Sequence, residues 1–349
     1  MTDLAPLAVF DGHNDLLLTL WLKHADDPAA AFFSSVEQGH LDFARMKRGG
    51  FCGGLFAVFI PPVSHVAQMR NQSEAEVLAS YDPQAITEAQ IAILFQLEQT
   101  SNGQLKICRS VADIEQCRRN QQIAAVLHIE GAGALDAELT QLDRYYALGV
   151  RSIGPFWNRP NVFGEGIRGA FPGSPDSGPG MTPAGKALIA ACNRRRMMID
   201  VSHMNEKAFW ETAALSSAPL VATHSNAHAL CPQPRNLTNA QLSAIAASGG
   251  FVGVNFGTAF LRADGKRDSA TTDLTEIVKH IEFLVAKLGE DHVGFGSDFD
   301  GVNVPQSLGD VSGLPSLLQA LAQAGFTPAQ VEKLAWRNWL AVLSTTWGA

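Results

Sequence analysis

The sequence predicts an α/β fold: a (β/α)8 TIM barrel with long loops over its C-terminal face, built as a single domain over residues 1–349. Three observations lead there. Eight short apolar runs recur along the chain. Helix-like segments separate most of them. Several runs end in ionisable residues, where a strand with no task at its tip would stay apolar.

The runs read VFDGHND (9–15), GGLFAVFI (53–60), AAVLHIEG (124–131), GVRSIGPF (149–156), MMIDVSH (197–203), PLVATHS (219–225), GFVGVNFG (250–257) and HVGFGSDF (292–299). Near-continuous apolarity, rather than strict alternation, marks strands buried on both faces of a parallel sheet. Helical patterns cover 83–100, 136–148, 182–196, 205–216, 238–247 and 273–288. The third opens on Thr182-Pro183, with proline at the first helical position, and the fifth on a threonine cap, Thr238. Eight strands alternating with helices fit a closed barrel better than an open doubly wound sheet. Neither GxGxxG nor GxxxxGKS/T stands in a strand-to-helix setting. Two Gly/Pro-rich segments, 159–180 and 302–315, would overhang the C-terminal face, where barrel loops shape a site. Residues 327–343 read as a closing amphipathic helix, with Trp336 and Trp339 suited to core or dimer packing.

Composition narrows the function. The chain is 46% hydrophobic and carries a net charge of -8, which argues against a nucleic-acid partner. The basic cluster Arg194-Arg195-Arg196 reads as a solvated helix C-terminus. No apolar stretch is long enough to span a membrane, and the start MTDLAPLAVFDGHND lacks the features of a signal peptide. The five cysteines are odd in number and show no CxxC spacing, so a reduced, cytoplasmic protein is expected.

The polar strand ends carry the chemistry. The first run ends in His13-Asn14-Asp15, the third in His128-Ile129-Glu130, the fifth in Asp200-Val201-Ser202-His203, the sixth in Thr223-His224-Ser225 and the eighth in Ser297-Asp298-Phe299-Asp300. His13 and Asp15 lie two apart and share a strand face. Alone, that pair says little. Imidazoles and carboxylates converging from five strand ends are hard to bury without a cation, because unpaired buried charges are costly and like charges repel. Five or six ligands exceed the three of a usual mononuclear catalytic zinc, and Glu130 is placed to bridge two metals. No lysine ends a strand, so a carbamylated bridge is not expected. His24, His40, His65 and His280 are expected to be exposed. His292 reads as structural and His228 as an outer partner at best. Asp200 could orient a ligand.

The stretches DGHNDL (11–16), HIEGAGAL (128–135), MMIDVSHMN (197–205), PLVATHSNAHALC (219–231), PRNLTNAQL (234–242), GGFVGVNF (249–256) and HVGFGSDFDGV (292–302) resemble, in order and spacing, the membrane (renal) dipeptidase family of the amidohydrolase superfamily. The resemblance implies a TIM barrel holding two divalent metal ions, zinc in the family. It matches His13 and Asp15 to ligands of the first metal, Glu130 to the bridge, and His203 and His224 to ligands of the second. Asp298 matches the aspartate that holds the nucleophilic water beside the metals and shuttles its proton. Arg235 matches the arginine that binds the substrate's terminal carboxylate. In one place the chain departs from the family. Where many members carry a histidine that contacts the scissile carbonyl, Trp157 stands in Pro155-Phe156-Trp157-Asn158-Arg159, so Asn158, Arg159 or Arg168 is expected to supply that contact.

The expectation is a binuclear zinc dipeptidase, a homodimer by family habit, acting on small dipeptides and in particular L-Xaa-D-Xaa. Asp298 would be catalytic and would also belong to the metal set of His13, Asp15, Glu130, His203 and His224, with Arg235, Trp157 and Asn158 binding substrate. An N-acyl-amino-acid hydrolase or lactonase on the same metals is the alternative, and a non-hydrolytic member of the family a more remote one.

Overall fold

In the computed structural model, which describes residues 8–34 and 39–348, eight parallel strands form the barrel. They are β1 (Val9–Asn14), β2 (Phe51–Phe59), β3 (Ile123–Glu130), β4 (Val150–Gly154), β5 (Met198–Ile199), β6 (Val221–Ala222), β7 (Phe251–Val254) and β8 (Val293–Phe295). Each pairs with its neighbours in sequence, and β1 meets β8 at Asp11 and Phe295. The seam between β5 and β6 closes through a single bridge, Asp200 to Val221. All eight runs read from the sequence are strands of this barrel.

The second half of the barrel has shorter strands than the apolar runs suggest, and polar side chains are the reason. Asp200 accepts from the backbone N–H groups of Ser202 and Thr223, and Asp11 accepts from Ser297 N. Asn226 and Asn255 exchange side-chain and backbone bonds in the same way. Side chains thus satisfy backbone groups that a longer ladder would otherwise use.

Helices flank the strands much as the periodicity predicts: Pro83–Thr100, Pro183–Arg195, Glu206–Leu215, Asn239–Ala247 and Leu274–Leu288. Thr182 and Thr238 cap theirs, accepting from Gly185 N and Gln241 N. The helix expected at 136–148 begins only at Leu142, because Asp136 bonds the backbone and hydroxyl of Thr140 and Leu139 turns to φ +61°. A short extra strand, Leu105–Ile107, pairs with the start of β3, and Pro160–Asn161 forms a small hairpin with Gly164–Glu165. The loop after β8 ends where the helix Leu314–Gln323 begins.

The closing helix is broken into Pro328–Glu332, a π-turn at Lys333–Arg337, and Asn338–Trp347. It delivers Trp339 beneath the barrel. There the fully buried indole packs on Phe10 and Phe251 and donates Nε1–H to Phe295 O. Gly12 is required at this spot, since a Cβ would lie 2.3 Å from the Trp339 ring. Among the described residues no helix is long and apolar enough to cross a membrane.

Candidate metal centre

At the opposite end, the ionisable strand termini converge. His13, Glu130 and His224 offer ligand atoms within 4.8 Å of one another, and so do His13, Asp15 and Asp298. Glu130 stands between two groups. Its Oε2 lies 3.6 Å from His13 Nε2, while its Oε1 lies 2.9 Å from His203 Nε2 and 3.5 Å from His224 Nε2. His13 Nε2 is also 3.6 Å from Asp15 Oδ2. The structure therefore brings together all five strand-end ligands named from the sequence, with Asp298 beside them.

The hydrogen bonds behind the histidines prepare lone pairs. Thr223 Oγ1 donates its one hydrogen to Asp200 Oδ2 at 2.6 Å, so at 2.7 Å it must accept from His224 Nδ1. That assigns the proton to Nδ1 and leaves Nε2 a free donor of electrons. Asn158 Oδ1, 2.7 Å from His203 Nδ1, does the same for His203. The two Nε2 atoms approach to 3.1 Å, a spacing that suits two ligands of one cation. Both nitrogens of His13 are buried without a hydrogen-bond partner.

Electrostatics agree with this reading. Burial pushes the Glu130 carboxyl up to about 8, with His13 opposing and Asp15 and Asp298 adding to it. Burial likewise raises Asp298 to about 6. It pulls His13 down, but Glu130, Asp15 and Asp298 more than reverse this and leave it near 10. His203 and His224 are held well below the usual histidine range by burial and then by the charges of Arg235 and His13. The neutral imidazoles of His203 and His224, beside carboxylates that burial disfavours as anions, suit a divalent cation, and the proton that Glu130, Asp15 and Asp298 draw to His13 marks where a cation's charge would replace it.

Asp298 is fixed from the neighbouring strand. Asn255, at the end of β7, donates Nδ2–H to Asp298 Oδ2 at 2.7 Å, and Asn255 is itself clamped by Asn226 and Gly257 N. Reading only ionisable strand ends missed Asn255. A polar residue closing the otherwise apolar run GFVGVNFG was the available signal. Two site residues, His203 and Asp298, adopt positive φ (+65° and +59°), which periodicity does not report. The adjoining Gly301 is there by necessity, since a Cβ would fall 2.3 Å from Asp15 Oδ2 and 2.5 Å from Asp298 Oδ1.

Arg235 is buried on the β6 side. Its Nη1 donates to Ser225 Oγ at 2.8 Å and its Nη2 to His224 O at 2.9 Å, while Nε has no partner. No carboxylate among the described residues forms an ion pair with it. Across the mouth, a cleft of about 340 Å³ opens between Glu130, Trp157 and the end of β2. Trp157 leans on Phe59 and His203, with ring centroids 5.0 and 6.1 Å apart. Arg168, offered from the sequence as a carbonyl contact, is exposed and pairs with Glu165 at 3.3 Å.

None of the four histidines expected to be exposed is: His24, His40 and His65 are half-buried. His280 is 1% exposed, bonded between Ala227 N and Leu261 O, because its helix face packs inward. His40 accepts from Asp300 N, and Asp300 returns a bond to His40 N, so the pair ties the segment after β1 to the β8 loop. His228 bonds Gly173 O in the 159–180 loop, and His292 bonds Gly250 O, away from the mouth.

Comparison with known proteins adds to the geometry. The family model for membrane dipeptidases (peptidase family M19) matches residues 4–347. An uncharacterised protein of the pqqA 5′ region in Klebsiella pneumoniae is 60% identical over 266 residues, 76% of this chain and 98% of the relative. An uncharacterised dipeptidase of Schizosaccharomyces pombe is 32% identical over 97% of this chain and 80% of its own length. A crystal structure of a Rhodobacter sphaeroides metallopeptidase, bound to a phosphinate mimic of L-Ala-D-Ala, superposes with a TM-score of 0.92 at 42% identity, covering 98% of this chain and 100% of that one.

Proposed function

The chain belongs to the membrane dipeptidase family, and on that premise we propose that it is a binuclear zinc dipeptidase acting on L-Xaa-D-Xaa dipeptides. Arg235 carries the substrate side of this reading. A buried guanidinium with an unpartnered Nε and no carboxylate partner among the described residues calls for an anion from outside, and a dipeptide's terminal carboxylate supplies one. A dipeptide would set its scissile bond beside Glu130 with its terminal carboxylate at Arg235. The Rhodobacter relative's L-Ala-D-Ala mimic supports the stereochemistry.

His13, Asp15 and Glu130 would hold one metal, and Glu130, His203 and His224 the other. Bound there, the two cations would supply Lewis acidity toward the scissile carbonyl and make water acidic enough to ionise near neutral pH. Asp298 accepts the water's proton and returns it to the leaving amine, while Asn255 keeps its carboxylate aimed. Asn158 acts through His203 by holding its tautomer, and Trp157 walls the cleft.

Metal analysis followed by a panel of L,L- and L,D-dipeptides tests the proposal. The expected result is two zinc ions per chain and turnover favouring the L,D series. Replacing Arg235 with methionine should then raise KM by about a hundredfold or more. Hydrolysis of N-acyl amino acids or lactones, with no dipeptide turned over, would refute it.

A further inference from the structure

We propose that the cleft beside Glu130 selects dipeptides whose N-terminal residue bears an acidic side chain, and that Arg159 is the residue that selects it. This rests on the dipeptidase reading above. Arg235 lies on the β6 side of the mouth, whereas the cleft is formed by the ends of β2 and β3 and by the segment after β4. A dipeptide held by its carboxylate at Arg235, with its scissile bond at Glu130, therefore turns its N-terminal side chain into the cleft.

The lining is apolar along the walls, from Phe59, Ile60, Leu135 and Trp157. Its charged residues are Glu130, which belongs to the metal cluster at the floor, and Arg159. Arg159 is held in place by neutral acceptors: it donates to Ile60 O and, at 3.4 Å, to the Tyr81 hydroxyl, which in turn bonds Pro61 O. No carboxylate among the described residues forms an ion pair with it. These contacts use two of its N–H donors and leave others available to a ligand. A preset guanidinium in a half-enclosed, aromatic-walled cleft favours a carboxylate, tolerates an apolar side chain and repels an ammonium.

The experiment compares kcat/KM for L-Glu-D-Ala, L-Leu-D-Ala and L-Lys-D-Ala in the zinc-loaded enzyme. L-Glu-D-Ala should exceed L-Lys-D-Ala by about tenfold or more, with L-Leu-D-Ala between them. Arg159→Met should cut the Glu-to-Leu ratio by about tenfold, and Arg159→Glu should invert the Glu-to-Lys preference. Ratios within one preparation do not depend on how much of the variant folds. A wild-type Glu-to-Lys ratio at or below one, or ratios unchanged in both variants, would overturn the assignment of Arg159 while leaving the dipeptidase reading intact. Absence of turnover on every dipeptide in the panel would overturn both.

Discussion

At the floor of the barrel, Phe10, Phe251 and Trp339 meet around glycines, and the one indole N–H is taken by Phe295 O. At the mouth, strands of the same sheet end in His13, Asp15, Glu130, His203, His224 and Asp298, where burial pushes the Glu130 and Asp298 carboxyls up and holds His203 and His224 down. Both ends are buried. The floor lowers the free energy of the fold by hiding carbon, while the mouth confines groups whose favourable partner is a ligand. Substitutions at the two ends should therefore fail in different ways.

The largest separation is expected at Asp298. Changing it to asparagine preserves the shape and the Asn255 contact on one oxygen but removes the proposed proton acceptor, so kcat should fall by about 10²–10⁴ while urea denaturation stays near wild type. Retained turnover would remove Asp298 from the chemistry. At the floor the pattern should reverse. Trp339→Ala leaves a cavity and should lower unfolding free energy by about 3–5 kcal/mol, with the folded fraction keeping its KM. A smaller effect is expected at Thr223, which sits under the mouth and touches no substrate. Thr223→Val breaks the relay from Asp200 to His224 and should weaken metal affinity by about 10–100-fold, read by competition with a chelator. An unchanged affinity would show that His224 needs no support from behind.

The smallest predicted effect belongs to neither end. Burial holds His280 down near 4, so above pH 6.5 it is neutral folded or unfolded and contributes no pH dependence. Below that, the unfolded chain takes up a proton that the fold refuses, and stability declines until the folded group titrates near 4. At pH 5.5 this amounts to about 1 kcal/mol, which His280→Gln should abolish in a comparison of denaturation midpoints at pH 7 and 5.5.

Much of the mouth was legible because ionisable residues at the tips of apolar runs are conspicuous, and because the five tips that carry them must meet if the sheet closes. That logic placed His13, Asp15, Glu130, His203, His224 and Asp298 together. The residues behind them were harder to see. Asn255 and Thr223 are neutral, and a polar residue at a strand end does not by itself say that it aims a ligand; Asn158 was named from the sequence, but as a substrate contact rather than as the partner of His203. The exposure assigned to His280 was wrong for a related reason: a histidine in a helix reads as polar until its two acceptor and donor contacts are known. The helix expected to start at 136 was misjudged because Asp136 prefers its own turn to the helix backbone.

The positive φ at His203 and Asp298 also constrains how this protein can change over generations. A substitution there is filtered twice, by what can bind a metal or carry a proton and by what tolerates a left-handed backbone. β-Branched residues fail the second filter even where their size is acceptable, whereas asparagine and glycine pass it. At position 298 the most accessible drift is to asparagine, which keeps the backbone and the pocket and loses the carboxylate proposed to shuttle the proton. If Asp298 carries the proposed proton transfer, the same architecture leaves a short path to a folded protein that would hold a dipeptide without cleaving it.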